Sequence, residues 1–278
     1  MGTWKLVSLP HDKRPIKCRW RYVIKAKGRF KAGLVVKGFT QVQGIDYEET
    51  ISPVLRYESI QYILAHAALL DWEIEAMDVK MAFLYRELKV EIYMEQPEGF
   101  IVKGQEKVCK LVKSVYGLKQ ARWVWYELMA DTLRRKLGFE WIHSDARVYV
   151  LHQWGGNQTE IILILYINNL LLMGNDLPLI NKIKKKLGKA YHMKDLGAAQ
   201  SYLGIRITRD CAHWCIWIDQ EAYIYSVLSW FHLMNANDTK TPFPTGVHFN
   251  QIRNPIFHEL KDWISTTDRY LTLCSTGH

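Results

Sequence analysis

Between Ile161 and Met173 the chain reads IILILYINNLLLM, and no other stretch constrains its fold so tightly. The run falls short of the roughly 18 consecutive apolar residues that a membrane-spanning helix needs. It is also broken by two asparagines. Short apolar runs at 161–166 and 170–173 predict a tight β-hairpin with Asn168 and Asn169 at its tip, because Asn tolerates the positive-φ geometry of such turns.

Other elements follow from periodicity. Residues 16–25 alternate apolar and basic side chains as a half-buried strand does, 27–29 form a turn, and 30–37 return. Apolar residues at helical spacing predict a helix over 58–71, and a short strand follows at 72–77. A second helix is predicted over 123–137, closed by Gly138. A third runs over 178–189 with a basic face. Residues 200–207 and 213–218 form a strand pair, a helix covers 219–234, and beyond 245 the pattern weakens into a tail. Helices mixed with antiparallel hairpins define an α+β class.

With 278 residues, 49% of them hydrophobic, the chain can bury a substantial core in one large domain or two subdomains. The net charge of +9 points to an acidic partner, and nucleic acid is the commonest. Lys182, Lys184, Lys185, Lys186 and Lys189 are the candidate nucleic-acid contacts; a solvated helix face is the bland alternative. The five cysteines show neither a CxxC pair nor a disulfide framework, which suits reduced thiols. MGTWKLVSLP lacks a signal-peptide core, so the expected location is intracellular, cytoplasmic or nuclear.

Six strings, in order, carry a family resemblance: KGFTQVQGIDYEET (37–50), SPVLRYESI (52–60), DWEIEAMDVKMAFL (71–84), EIYMEQPEGF (91–100), YGLKQA (116–121) and MKDLGAAQSYLGIRI (193–207). Together they resemble the reverse transcriptase of copia-type LTR retrotransposons over roughly residues 3–245. The resemblance implies a right-hand polymerase fold, with fingers, a palm built on an antiparallel sheet and the beginning of a thumb. It makes 1–245 one domain and 246–278 a degenerate tail. It also implies an RNA template, a DNA primer, a deoxynucleoside triphosphate and Mg²⁺. Such a domain is cut from a polyprotein that carries integrase and RNase H, and no complete RNase H sequence is visible here.

Nucleotidyl transfer uses two divalent ions about 4 Å apart, held by hard oxygen ligands. The resemblance places the first metal-ligating aspartate at Asp78, and a Tyr-Val-Asp-Asp turn at Tyr166-Ile167-Asn168-Asn169. Here both turn aspartates are asparagines, so the catalytic positions are Asp78, Asn168 and Asn169, and only Asp78 remains a charged ligand. An inactive polymerase is the expectation. A non-enzymatic nucleic-acid-binding or domesticated remnant is the alternative, and a weakly active enzyme a lesser one. The resemblance also places Lys31, Gln120 and Tyr85 at positions expected near the incoming nucleotide. In 31–35 a glycine, Gly33, replaces the family's arginine, and Gly lacks the rigid fork that grips phosphate. The changes Val→Ile and Asp→Asn each need one G-to-A transition, the mark of cytosine deamination. Arg147 replaces a small residue, and if buried without partners would cost several kcal/mol.

Overall fold

The computed structural model describes residues 2–25, 28–102, 107–153 and 158–236. The chain divides into two compact units, Met1–Glu221 and Ala222–His278. Residues 246–278, assigned above to a tail, lie outside the described residues, as does Lys27 of the first turn.

The first unit starts with β1 (Trp4–Ser8) and the hairpin of β2 (Cys18–Ile24) and β3 (Phe30–Val36). Helix α1 (Tyr57–Leu69) leads into β4 (Glu73–Val79), a 3-10 turn at Ala82–Tyr85, β5 (Glu87–Met94) and β6 (Lys107–Lys113). Helix α2 (Ala121–Asp131) runs into a π-helical turn at Thr132–Lys136, and Gly138 then takes φ +80° as the chain leaves it. Strands β7 (Glu140–Ile142), β8 (Asp145–Gln153), β9 (Thr159–Tyr166) and β10 (Asn169–Gly174) follow. Helix α3 (Leu177–Ala190) opens on Asp176, whose Oδ1 accepts from Leu179 N at 2.8 Å, with Pro178 in its first turn. Strands β11 (Met193–Ala198), β12 (Ser201–Tyr202), β13 (Ile205–Asp210) and β14 (Cys215–Asp219) complete the unit. In the second unit, α4 (Glu221–Trp230) is the described helix.

A six-stranded sheet in the order β11-β4-β10-β9-β8-β7 forms the centre, and its pairings are antiparallel. The apolar run explains this position. Leu163, Leu165, Leu170 and Leu172 point to one face, against Trp125 and Met129 of α2 and Ile180, Ile183 and Leu187 of α3. Ile162, Ile164, Leu171 and Met173 point to the other, against Ile60, Ile63, Leu64 and Ala67 of α1. Strands covered on both faces carry continuous rather than alternating apolar sequence. Each such side chain contributes about 1.5–3 kcal/mol of burial. Among the described residues no helix is long and apolar enough to cross a membrane.

Three sequence expectations are corrected. The asparagines do not share the hairpin tip: the two-residue turn is Ile167-Asn168, and Asn169 is the first residue of β10, paired with Tyr166. The left-handed residue is Ile167, at φ +52°. A β-branched residue there is strained, and the turn's tertiary partners hold it in place. The strand expected over 200–207 is cut in two by a turn in which Leu203 and Gly204 take φ +52° and +86°. Lys184 does not belong to an exposed basic face. It shares the buried stripe of α3 with Ile180, Ile183 and Leu187, and its Nζ meets Glu75 Oε2 at 2.6 Å and Asp195 Oδ1 at 2.5 Å.

Arg147 is buried, as the sequence made possible, yet it is not without partners. Its Nε donates to Pro53 O at 2.7 Å, a terminal nitrogen donates to Ser52 Oγ, and the guanidinium lies 4.3 Å from the Tyr126 ring centroid. The segment around Ser52-Pro53 supplies the oxygens the side chain requires, leaving its other terminal nitrogen unpaired.

Candidate nucleotidyl-transfer site

Asp78 lies one residue from the end of β4, between Asn169 of β10 and Lys194 of β11, its register partners on the two flanking strands. The hairpin turn closes over it. Asn168 Nδ2 donates to Asp78 Oδ1 at 2.6 Å, and Val79 N donates to Asn168 O at 2.7 Å. From beneath, Trp125 Nε1 donates to Ile167 O at 2.6 Å. Turn, strand end and helix are thus tied together by three hydrogen bonds, which offsets the strain at Ile167. Tyr116 is the aromatic neighbour: its ring lies 4.6 Å from that of Phe83. Burial, and secondly the nearby Asp78 carboxylate, hold its hydroxyl above the ordinary tyrosine pKa.

These side chains do not fit a pair of divalent cations. Two such ions about 4 Å apart repel by about 4 kcal/mol in bulk water and by about 17 at an effective dielectric of 20. One carboxylate is left to oppose that repulsion, and the amide N–H of Asn168 points at the very oxygen that would ligate an ion. Among the described residues no group of three or more His, Cys, Asp or Glu side chains is arranged to hold a metal.

The residues assigned to nucleotide contact are spread out. Gln120 is buried at the start of α2, with both ends of its amide engaged: Gln41 Nε2 donates to its Oε1 at 3.1 Å, and its Nε2 donates to Asp46 O at 3.0 Å. Gln41 Oε1 also accepts from Lys119 N at 2.8 Å. Gln120 therefore locks the 41–47 loop onto the start of α2. Tyr85 packs its ring 5.1 Å from Tyr191 and 5.9 Å from Trp125, and its hydroxyl accepts from His192 N at 2.5 Å. Lys31 stands exposed on the β2–β3 hairpin, opposite Val23. That hairpin is anchored near the site, since Val36 N donates to Tyr116 O at 2.8 Å. Lys182, Lys185, Lys186 and Lys189 are exposed on α3, on the side away from the stripe that holds Lys184.

Sequence reasoning missed Gln41, Asp46, Lys119, Trp125, Lys80 and Lys194. The first three lie inside the strings KGFTQVQGIDYEET and YGLKQA, so two motifs distant in sequence meet in one buried network. A further contact joins the same strings. A Cβ on Gly38 would come within 2.0 Å of Gly117 O, so the two backbones touch where only glycine fits.

A family model described as reverse transcriptase (RNA-dependent DNA polymerase) matches residues 1–245. The retrovirus-related Pol polyprotein from transposon TNT 1-94 of Nicotiana tabacum is 48% identical over 247 residues, 87% of this chain and 18% of that protein. The Pol polyprotein from transposon RE1 of Arabidopsis thaliana is 35% identical over 247 residues, 86% of this chain and 16% of that protein. The chain thus spans less than a fifth of these relatives' length. Among solved structures, apo telomerase from Candida tropicalis, truncated from its C-terminal domain, aligns at a TM-score of 0.39 and 11% identity. That alignment covers 78% of this chain and 57% of that one, and its score is too low to carry an argument. On the family match and the two polyprotein identities, the chain belongs to the reverse transcriptase family of copia-type retrotransposon Pol polyproteins.

Proposed function

We propose that the chain is a right-hand polymerase domain, with fingers, palm and the beginning of a thumb, that no longer performs nucleotidyl transfer and retains binding of an RNA–DNA duplex. In this reading the six-stranded sheet is the palm and the β2–β3 hairpin belongs to the fingers. The observation that carries it is the hydrogen bond from Asn168 Nδ2 to Asp78 Oδ1. An N–H donor occupies the approach to the one remaining carboxylate, where the family's chemistry calls for a cation. The exposed lysines of α3 and the net charge of +9 support phosphate binding.

Primer extension on poly(rA)/oligo(dT) with Mg²⁺ or Mn²⁺ tests the reading, beside the double variant Asn168→Asp/Asn169→Asp. The expected result is no extension by the unaltered chain. Extension by the unaltered chain overturns the inactive reading. Activity in the double variant alone confines the defect to the hairpin, and silence in both extends it to other positions such as Gly33.

A further inference from the structure

We infer that the loss of the two aspartates has inverted the charge of this site, so that it accepts a backbone phosphate of the duplex directly, without a divalent cation. The inference deepens the nucleic-acid-binding reading above and rests on it. Asp78 is flanked by Lys194, its register partner on β11, and followed by Lys80 two residues on. Both lysines are exposed. Lys80 Nζ lies 3.5 Å from His192 Nε2, and Lys194 has no ion pair among the described residues. The remaining carboxylates of β4 and β11 are engaged elsewhere: Glu75 and Asp195, on the other face of the sheet, are taken by Lys184, and Glu73, at the far end of β4, pairs with Arg209. One carboxylate, already accepting the Asn168 amide, thus shares this end of the sheet with two lysines. With aspartates at 168 and 169 the same end would carry three carboxylates against two lysines, and a phosphate would need a cation between.

The physical consequence is a difference in what the duplex requires. A phosphate approaching three carboxylates is repelled unless divalent ions screen them; one approaching Lys80 and Lys194 beside a hydrogen-bonded Asp78 is attracted as it stands. The side-chain amides of the turn add to this, since Asn168 and Asn169 can donate where aspartates only accept.

The test is fluorescence anisotropy of a labelled RNA–DNA hybrid with a recessed 3′ end, using the full chain at fixed ionic strength, in EDTA or in Mg²⁺. The unaltered chain is expected to bind equally, within twofold, in both buffers. Asn168→Asp/Asn169→Asp, checked for folding by circular dichroism, is expected to bind about tenfold more weakly in EDTA, from two added charges at about 6 Å, and to recover in Mg²⁺. Lys194→Ala reports on the phosphate contact without altering the asparagines, and should lower the slope of log affinity against log salt by about one. Divalent dependence in the unaltered chain, or an unchanged slope for Lys194→Ala, overturns the inference and leaves duplex binding standing. Absence of binding in every protein and buffer overturns the nucleic-acid reading itself. Displacement of the duplex by micromolar inorganic triphosphate overturns the assignment to a backbone phosphate.

Discussion

The indole nitrogen of Trp125 donates to the carbonyl oxygen of Ile167 at 2.6 Å, so a helix side chain holds the hairpin turn from inside the core. Trp125 is fully buried, and Ile167 takes the left-handed conformation that a β-branched residue avoids. Trp125→Phe keeps an aromatic ring but leaves that carbonyl without its partner and opens a small void. The expected loss is about 2–3 kcal/mol, read as a lower urea midpoint with an unchanged slope.

Gly38 and Gly117 test the second anchor. Gly117 sits at φ +97°, and a Cβ on it would meet Val36 O at 2.0 Å, as one on Gly38 would meet Gly117 O. Neither clash can be relieved by turning a side chain. Gly38→Ala should therefore cost at least about 3 kcal/mol, while Gly188→Ala, in open space on α3, should be neutral or slightly stabilising. Thermal melting of the two variants separates the cases.

Lys184 ties α3 to β4 and β11, and its removal would leave Glu75 buried with its counter-charge gone. Lys184→Met should cost about 3–5 kcal/mol, against a few tenths for Lys185→Ala or Lys186→Ala. The pH dependence follows from Asp195. Burial works against its charge, but hydrogen bonds from Lys184 and from the backbone N–H of Gly197 hold its pKa below the ordinary value of 3.8. A carboxylate lowered on folding contributes stability that is present above its unfolded pKa and is lost as pH falls through the folded one. Denaturant midpoints should thus drop as pH falls below 3.8, and drop less steeply in Lys184→Met.

Arg147 is the case in which Lys is no substitute. A planar guanidinium can lie over Tyr126 while its edge reaches Pro53 O and Ser52 Oγ; a single ammonium cannot do both. Arg147→Lys should cost about 2 kcal/mol in equilibrium unfolding, and a variant as stable as the parent would refute this account of the site.

The central hairpin was legible because two short apolar runs around a polar pair leave few alternatives. Its tip was misplaced by one residue, because Asn preference for positive φ outweighed Ile167 in local reasoning and the bonds to Trp125 and Val79 are tertiary. The convergence of Asp78 with 168–169 spans 90 residues and could be placed only through the resemblance. Lys184 was readable in principle, since it falls four residues after Ile180 and three before Leu187, but the surrounding lysines hid the stripe. The partners of Arg147 and the embrace of Gln120 by Gln41 and Asp46 left no local trace, because each joins segments more than 70 residues apart.

Strand β4 finds its two sheet neighbours late in the chain: β10 begins at Asn169 and β11 at Met193. During synthesis, the segment that carries Asp78 must wait with both hydrogen-bonding edges bare until about 90 further residues have emerged, and with one edge bare until well over a hundred have. Pairing across such distances is slow, and bare apolar strand edges recruit one another between chains. A chain halted between β4 and β10 would consequently be a nucleus for aggregation, and a host cell would have to shield or degrade it.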